Sequence, residues 1–248
     1  EQGHDVGGVW RENSCPGAAC DIPSHLYSYS FAPKLDWSRR YPAQPEILQY
    51  LRDIAKRYDL TSHVFFGTEV ASAQFDDAEK RWTVTTAEGQ QCTAPVLISG
   101  VGQLSRPAMP AILGIEKFKG ATFHSATWDH GFELEGKSVA VVGTGASAIQ
   151  FVPIIAEKVK SLVLFQRSAP WTLPKPDTAY GALEKRLFKN MPLFRRAYRY
   201  AIWRGLGEAS FSALDNPNSP QGKLLKWVSE RQLRVQVPNA ELRKKLTP

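Results

Sequence analysis

The residues best suited to chemistry in this chain lie in VAVVGTGASAIQ, where a hydrophobic strand runs directly into Gly143, Gly145 and Ala148. The spacing is G-x-G-x-x-A. The first glycine permits a tight turn, the second lets backbone approach a pyrophosphate, and the small third residue lets the following helix pack on the strand. Backbone N–H groups at the start of that helix then hold phosphate oxygens. A dinucleotide is therefore predicted on Gly143, Thr144, Gly145, Ala146, Ser147 and Ala148, with Gln150 further along the same helix. The end of the next strand decides which one. An NAD site would offer a carboxylate to the ribose 2'-hydroxyl, but LVLFQRSAPW offers Gln166, Arg167 and Ser168. A guanidinium suits a 2'-phosphate and a hydroxyl adds a contact, which points to NADPH. The plain alternative for Arg167 is a surface charge.

A second constellation, FKGATFHSATWD, sets Phe118, Gly120, His124, Trp128 and Asp129 in the order F-x-G-x-x-x-H-x-x-x-W-D. His124 by itself reads as a structural histidine. Its setting, just ahead of the glycine turn, resembles the fingerprint of Baeyer-Villiger monooxygenases and their relatives among the flavin-containing monooxygenases. The resemblance extends to Gly7, Gly8, Val9 and Trp10, and to Pro16, Gly17, Ala18, Ala19, Cys20 and Asp21, which follow the family's Gly-Gly-x-Trp and Pro-Gly-Ala-x-Cys-Asp segments. It implies that Gly7, Gly8, Val9, Trp10, Arg11, Glu12, Asp21 and Tyr27 line a flavin, that Glu1 binds the adenosine ribose of FAD, and that Val70 touches the flavin adenine. Ala19, Cys20 and Asp21 are implied to face the nicotinamide nucleotide. Asp21 and His124 are the implied catalytic pair, His124 in a positioning role, although Asp21 alone would read as a turn residue. Two positions depart from the pattern. Ala19 stands where the family often has Arg, and Cys15 where it often has an aromatic residue.

The resemblance implies FAD and NADPH as cofactors, with NADPH reducing FAD and dioxygen forming a flavin peroxide that inserts one oxygen atom into a ketone. Oxygenation at nitrogen or sulfur is the variant chemistry, and a non-catalytic NADPH-binding module is a further alternative. Cys15 and Cys20 raise a different reading, a pyridine-nucleotide disulfide reductase, which leaves the 118–129 constellation unexplained. The matched region is about the middle half of a family member. The first strand with its flavin glycine turn would precede Glu1, and a catalytic Arg would follow Pro248. The 248 residues by themselves are accordingly expected to bind FAD weakly and to oxygenate nothing.

Composition is consistent with a globular chain, since 43% of the residues are hydrophobic. The net charge of +7 comes mostly from Lys and Arg beyond Gly181. With no zinc-ligand spacing, no aromatic RNA-binding signature and no zipper, nucleic acid is not an expected partner, nor is a metal expected. Three cysteines argue for a reducing compartment rather than a disulfide framework. No apolar run approaches the roughly 18 residues of a membrane span, so a cytoplasmic protein is expected.

The elements that must position these residues can be read from periodicity. A long ordered loop is predicted over 7–31 and an amphipathic helix over 45–58. Short strands are predicted over 64–66, 70–75 and 82–86, the last two joined at Asp76 and Asp77, with a buried parallel strand over 95–99 (PVLIS). A strand over 138–142, a helix over 147–157 and a strand over 161–165 form the nucleotide unit. The stretch 182–211, interrupted at Pro192, reads as helical, either covering the second domain or lying on a membrane surface. The fold class is α/β, with two Rossmann-like domains for FAD and NADPH, the first incomplete. The expected segments are 1–103 (FAD), 104–135 (connection), 136–180 (NADPH) and 181–248 (helical insertion).

Overall fold

In a computed structural model, which describes residues 1–208, 213 and 215–248, the backbone divides into two units. The first joins Glu1–Ser14 to Ile47–Asp129, and the second joins Cys15–Glu46 to His130–Pro248.

In the first unit, Val9–Glu12 forms a single turn (α1) and Gln44–Arg57 a longer helix (α2) that begins within the second unit. Ile47, Tyr50, Ile54 and Ala55 of α2 are buried, at the spacing expected of one helical face. The segment before α1 packs on that helix. A Cβ on Gly7 would stand 2.5 Å from Leu48 Cδ1, and Arg52 Nε donates to Asp5 at 2.8 Å. Val70–Asp76 (β1), Arg81–Thr86 (β2) and Gln91–Ala94 (β3) form an antiparallel meander. Asp76 makes the predicted first turn, its carboxylate accepting from Ala78 and Glu79 N–H at 2.8 and 2.9 Å.

Three expectations are corrected here. Residues 64–66 follow a 3-10 turn, Leu60–His63, and form no strand. Residues 95–99 also form none, and Val96 and Ile98 are 67% and 86% exposed. The cause is the same in both: a strand exists only through its ladder, and among the described residues neither segment is laddered to a strand, although the Glu1 ammonium donates to the Phe65 carbonyl at 3.1 Å. The loop expected over 7–31 contains α1 and is divided between the units at Ser14. Conversely, β3 is polar and was not predicted; its pairing with β2, Val84 opposite Cys92, makes it a strand.

The second unit is built on Ser138–Val142 (β4), Ala146–Ala156 (α3) and Ser161–Phe165 (β5). The strands are parallel, from Ser138 opposite Ser161 to Val142 opposite Phe165. The helix between them buries Ala148, Phe151 and Ile155. The strap Cys15–Glu46 belongs to this unit. It closes on itself through an Ala19–Ala43 bridge, with Cys20 N–H on the Pro42 carbonyl at 2.9 Å. It is also laced to the chain after β5 by an Arg39–Ala179 bridge. Helices Ala182–Asn190 (α4), Pro192–Ile202 (α5), Pro220–Gln236 (α6) and Ala240–Lys245 (α7) follow, with a π-helical turn at Trp203–Glu208 after α5. The break expected at Pro192 separates α4 from α5; residues 209–211 of the predicted helical stretch lie outside the described residues. Trp37 and Phe188 are the largest side chains sealed in this core. Among the described residues no helix is long and apolar enough to cross a membrane.

Candidate functional site

Gly143 leaves β4 at φ 104°, a backbone conformation that side chains resist, and its N–H donates to the Phe165 carbonyl at 2.9 Å. The glycine turn is thereby fastened to the carboxyl end of β5. A Cβ on Gly143 or Gly145 would meet nothing within 4 Å, so the turn opens on free space. Gly145 gives α3 no side-chain cap, and the first N–H groups of a helix have no intrahelical acceptor. Thr144, Ala146 and Ser147 complete this surface, and Ala148 is buried, as a small residue packing helix on strand must be. Arg167 and Ser168 are exposed just beyond Phe165, at the same end of the parallel pair. Arg167 makes no ion pair among the described residues. Gln166 Nε2 donates to the Lys245 carbonyl at 3.1 Å and so ties the last turn of α7 to this edge.

The strap supplies Ala19, Cys20, Asp21 and Tyr27 to the same unit. Gln150, from the second turn of α3, donates through Nε2 to the Ala19 carbonyl at 3.1 Å and accepts the Ala19 N–H on Oε1 at 3.0 Å. Lys175 Nζ donates to the Cys20 carbonyl at 3.0 Å. Asp21 is exposed and Tyr27 half-buried. Cys15 and Cys20 are buried free thiols. Burial pushes the Cys20 thiol up to about 11 and raises that of Cys15. Neither is poised as a thiolate.

The remaining residues lie in the first unit. Arg11 gathers the N-terminal set. Its Nη2 lies 3.2 Å from the Glu1 carboxylate and also bonds Glu12, while Nη1 reaches the Asp5 carbonyl. The Gly3 N–H, reinforced by Arg11, holds the Glu1 carboxyl below its usual range. Gly7, Gly8, Val9 and Trp10 enter and begin α1, and Val70 is exposed where β1 starts. The chain at Glu1 passes next to the segment leading into β1, the Glu1 carbonyl accepting from Thr68 N–H at 2.9 Å. Asp21 and Tyr27, which the resemblance groups with this set, belong to the other unit.

The fingerprint is local scaffolding in its own right. A Cβ on Gly120 would fall 2.6 Å from Cε1 and Cζ of Phe118, so the far edge of that ring reaches over the glycine. His124 Nδ1 accepts the Ala126 N–H at 3.1 Å and caps the 3-10 turn Ser125–Thr127. Trp128 meets Phe123 edge-on at 5.2 Å, and Asp129 is exposed.

The sequence profile described as FMO-like, flavin-binding monooxygenase-like, matches residues 1–191. The chain belongs to the flavin-binding monooxygenase-like family. Among curated proteins it is 42% identical to a Baeyer-Villiger monooxygenase of Pseudomonas aeruginosa, over 100% of this chain and 47% of that protein. It is 41% identical to one of Streptomyces coelicolor, again over 100% of this chain and 47% of the relative. It therefore spans about half the length of the curated relatives it matches. A steroid monooxygenase solved with NADP superposes with a TM-score of 0.84 at 35% identity, covering 100% of this chain and 54% of that one. A cyclohexanone monooxygenase from Rhodococcus with NADP+ gives 0.83 at 26% identity, also over 100% and 54%. These likenesses establish the α/β fold of the family for this chain. A family member with both cysteines buried as free thiols does not fit the disulfide reductase reading.

Spacing alone disclosed neither Lys175 nor the use that Gln150 makes of its amide. Lys175 sits in an irregular segment with no periodic signal, and Gln150 bonds a backbone 131 positions away.

Proposed function

We propose that this chain is the nucleotide-handling part of an FAD- and NADPH-dependent monooxygenase of the Baeyer-Villiger type, inserting one oxygen atom from dioxygen into a ketone. The observation carrying the reading is the common edge that holds the open Gly143 turn and the exposed Arg167 guanidinium, which has no ion-pair partner among the described residues; Gly143 N–H on the Phe165 carbonyl at 2.9 Å fastens that edge. An open turn with uncapped helix amides fits a pyrophosphate, and an exposed guanidinium next to a serine fits a 2'-phosphate. The Baeyer-Villiger monooxygenases 41–42% identical to this chain support the reaction type. On this reading 136–180 is the NADPH unit, 1–103 contributes to the FAD domain, 104–135 connects them, and 181–248 covers the nucleotide unit; the setting is cytoplasmic.

When bound, the flavin would supply oxygen activation after reduction by NADPH. Glu1, Gly7, Gly8, Val9, Trp10, Arg11, Glu12 and Val70 are the residues to hold it, with the Arg11–Glu1 pair already organised at 3.2 Å. From the strap, Asp21 would face the nicotinamide side and Tyr27 the flavin. His124, which spends its Nδ1 on a backbone cap, positions the connecting segment and transfers no proton from that atom.

The test is ketone-dependent NADPH oxidation with an ester product by the full-length protein. Replacing Arg167 with Ala is expected to cut the preference for NADPH over NADH by at least about tenfold, the loss of one charge-assisted contact of about 1.4 kcal/mol. NADH preferred by the unsubstituted protein, with no change in R167A, would overturn the proposal.

A further inference from the structure

Gln150 turns both ends of its side-chain amide on one residue of the strap, with Nε2 3.1 Å from the Ala19 carbonyl and Oε1 3.0 Å from the Ala19 nitrogen. Two antiparallel hydrogen bonds to one residue fix its rotation as well as its position, as a strand partner does. The next peptide is held from other directions. Cys20 N–H donates to the Pro42 carbonyl at 2.9 Å, and the Cys20 carbonyl accepts from Lys175 Nζ at 3.0 Å. That ammonium also lies 4.7 Å from the centre of the Tyr41 ring, which keeps it over the strap. Gly17 completes the contact on the α3 side. A Cβ there would stand 2.8 Å from the Gln150 carbonyl and 2.5 Å from Ile154 Cδ1, so the strap touches the helix directly.

Four successive backbone groups, the N–H and carbonyl of Ala19 and of Cys20, are thus engaged immediately before Asp21. Beyond it, Ile22 N–H donates to Cys20 Sγ at 3.3 Å. Gln150 lies one turn after Ala146, on the same rigid helix whose first turn borders the glycine bend. We propose that Gln150 and Lys175 are positioning residues for Asp21: they clamp the strap to the nucleotide unit, so that the helix facing the phosphate site also sets where the Asp21 carboxylate stands. Gln150 acts on the strap rather than as a ligand of the nucleotide. The proposal rests on the functional reading above, in which Asp21 faces the nicotinamide.

The experiment uses full-length protein, NADP+ as the probe, and the variants Gln150→Leu, Lys175→Met and Lys175→Arg. Three quantities are measured: the NADP+ dissociation constant, amide hydrogen exchange in peptides covering 18–22 and 143–148, and moles of oxygenated product per NADPH consumed. In Q150L, exchange over 18–22 is expected to rise at least about tenfold and product per NADPH to fall at least about threefold. Exchange over 143–148 and the dissociation constant should stay within about twofold. K175M should move the same readouts in the same direction, and K175R, which keeps a donor and a cation, should restore them. A tenfold weaker NADP+ complex with unchanged exchange over 18–22 would make Gln150 a nucleotide ligand and overturn the proposal. Faster exchange with product per NADPH unchanged would reduce the clamp to architecture and overturn it as well. An unsubstituted protein that binds NADP+ but yields no oxygenated product would instead overturn the functional reading, and the exchange over 18–22 would still decide whether the clamp exists.

Discussion

Arg199 Nη1 lies 2.7 Å from the carbonyl oxygen of His25, joining residues 174 positions apart, and donates to the Ser28 carbonyl at 2.9 Å as well. Arg195 turns inward in the same way, with Nη1 2.8 Å from the Phe188 carbonyl. Two charges of α5 therefore close the 25–28 turn and the α4 end rather than advertising a basic surface. Arg199→Met would strand the His25 and Ser28 carbonyls. A loss of roughly 1.5–3 kcal/mol is expected from hydrogen bonds to a charged group, read as a lower urea midpoint. An unchanged midpoint would show that water replaces the guanidinium at no cost.

The same arrangement makes stability depend on pH through His25. Its ring is buried against Phe188 at 3.9 Å, Tyr180 at 5.3 Å and Tyr198 at 5.7 Å, and its Nε2 has no hydrogen-bond partner among the described residues. Burial first, and then the Arg195 and Arg199 charges, lower its pKa from 6.5 to about 4. The unfolded chain takes up the proton first on acidification. Stability is thus at its plateau above pH 6.5, falls between 6.5 and about 4, and levels off below, a span worth roughly 3 kcal/mol. Urea unfolding at pH 7 and pH 5 measures the slope, where most carboxylates stay ionised. His25→Phe should flatten it, and an equal slope in wild type and variant would assign the effect to other groups.

What the sequence disclosed and what it hid follow a physical division. Strands β4 and β5 and helix α3 were legible because apolar runs punctuated by Gly143 and Gly145 leave one arrangement open, and the position of Arg167 just after β5 follows from that unit. Residues 95–99 carry the same apolar signal, yet Ile98 is 86% exposed, because composition proposes a strand and only a neighbour makes one. The polar β3 shows the converse, a strand made by its partner. At the site, the Gln150–Ala19 and Lys175–Cys20 contacts span 131 and 155 positions and involve backbone acceptors, which any residue type supplies. Arg199 looked like its exposed neighbours, since sequence gives the charge of a helix residue but not which carbonyls wait beneath it.

Gly17 tests how closely the strap must approach α3. An added methyl would meet the Gln150 carbonyl at 2.8 Å, and backbone in a helix cannot yield as a side chain does. Gly17→Ala is expected to cost about 1–3 kcal/mol through overpacking, added to the strain of a side chain at φ 75°, and to speed amide exchange over 18–22 as the contact opens. If G17A unfolds at the wild-type midpoint with the same exchange, the strap is free to lift from the helix.

Gly143 tests the nucleotide turn against plain backbone strain, with Gly136 as its control. Both glycines have positive φ, 104° at Gly143 and 69° at Gly136, and a Cβ at either would meet nothing within 4 Å. They flank opposite ends of β4, so only Gly143 borders the edge that carries Arg167. Alanine at either position should cost about 1–3 kcal/mol of stability from a disfavoured backbone. The consequences for ligand should diverge. With a methyl occupying the space over the turn, Gly143→Ala is expected to weaken NADP+ binding at least about tenfold by titration calorimetry, whereas Gly136→Ala should leave it within about twofold. Equal weakening in both variants would trace the loss to destabilised β4, and unaltered binding in G143A would remove the phosphates from this turn.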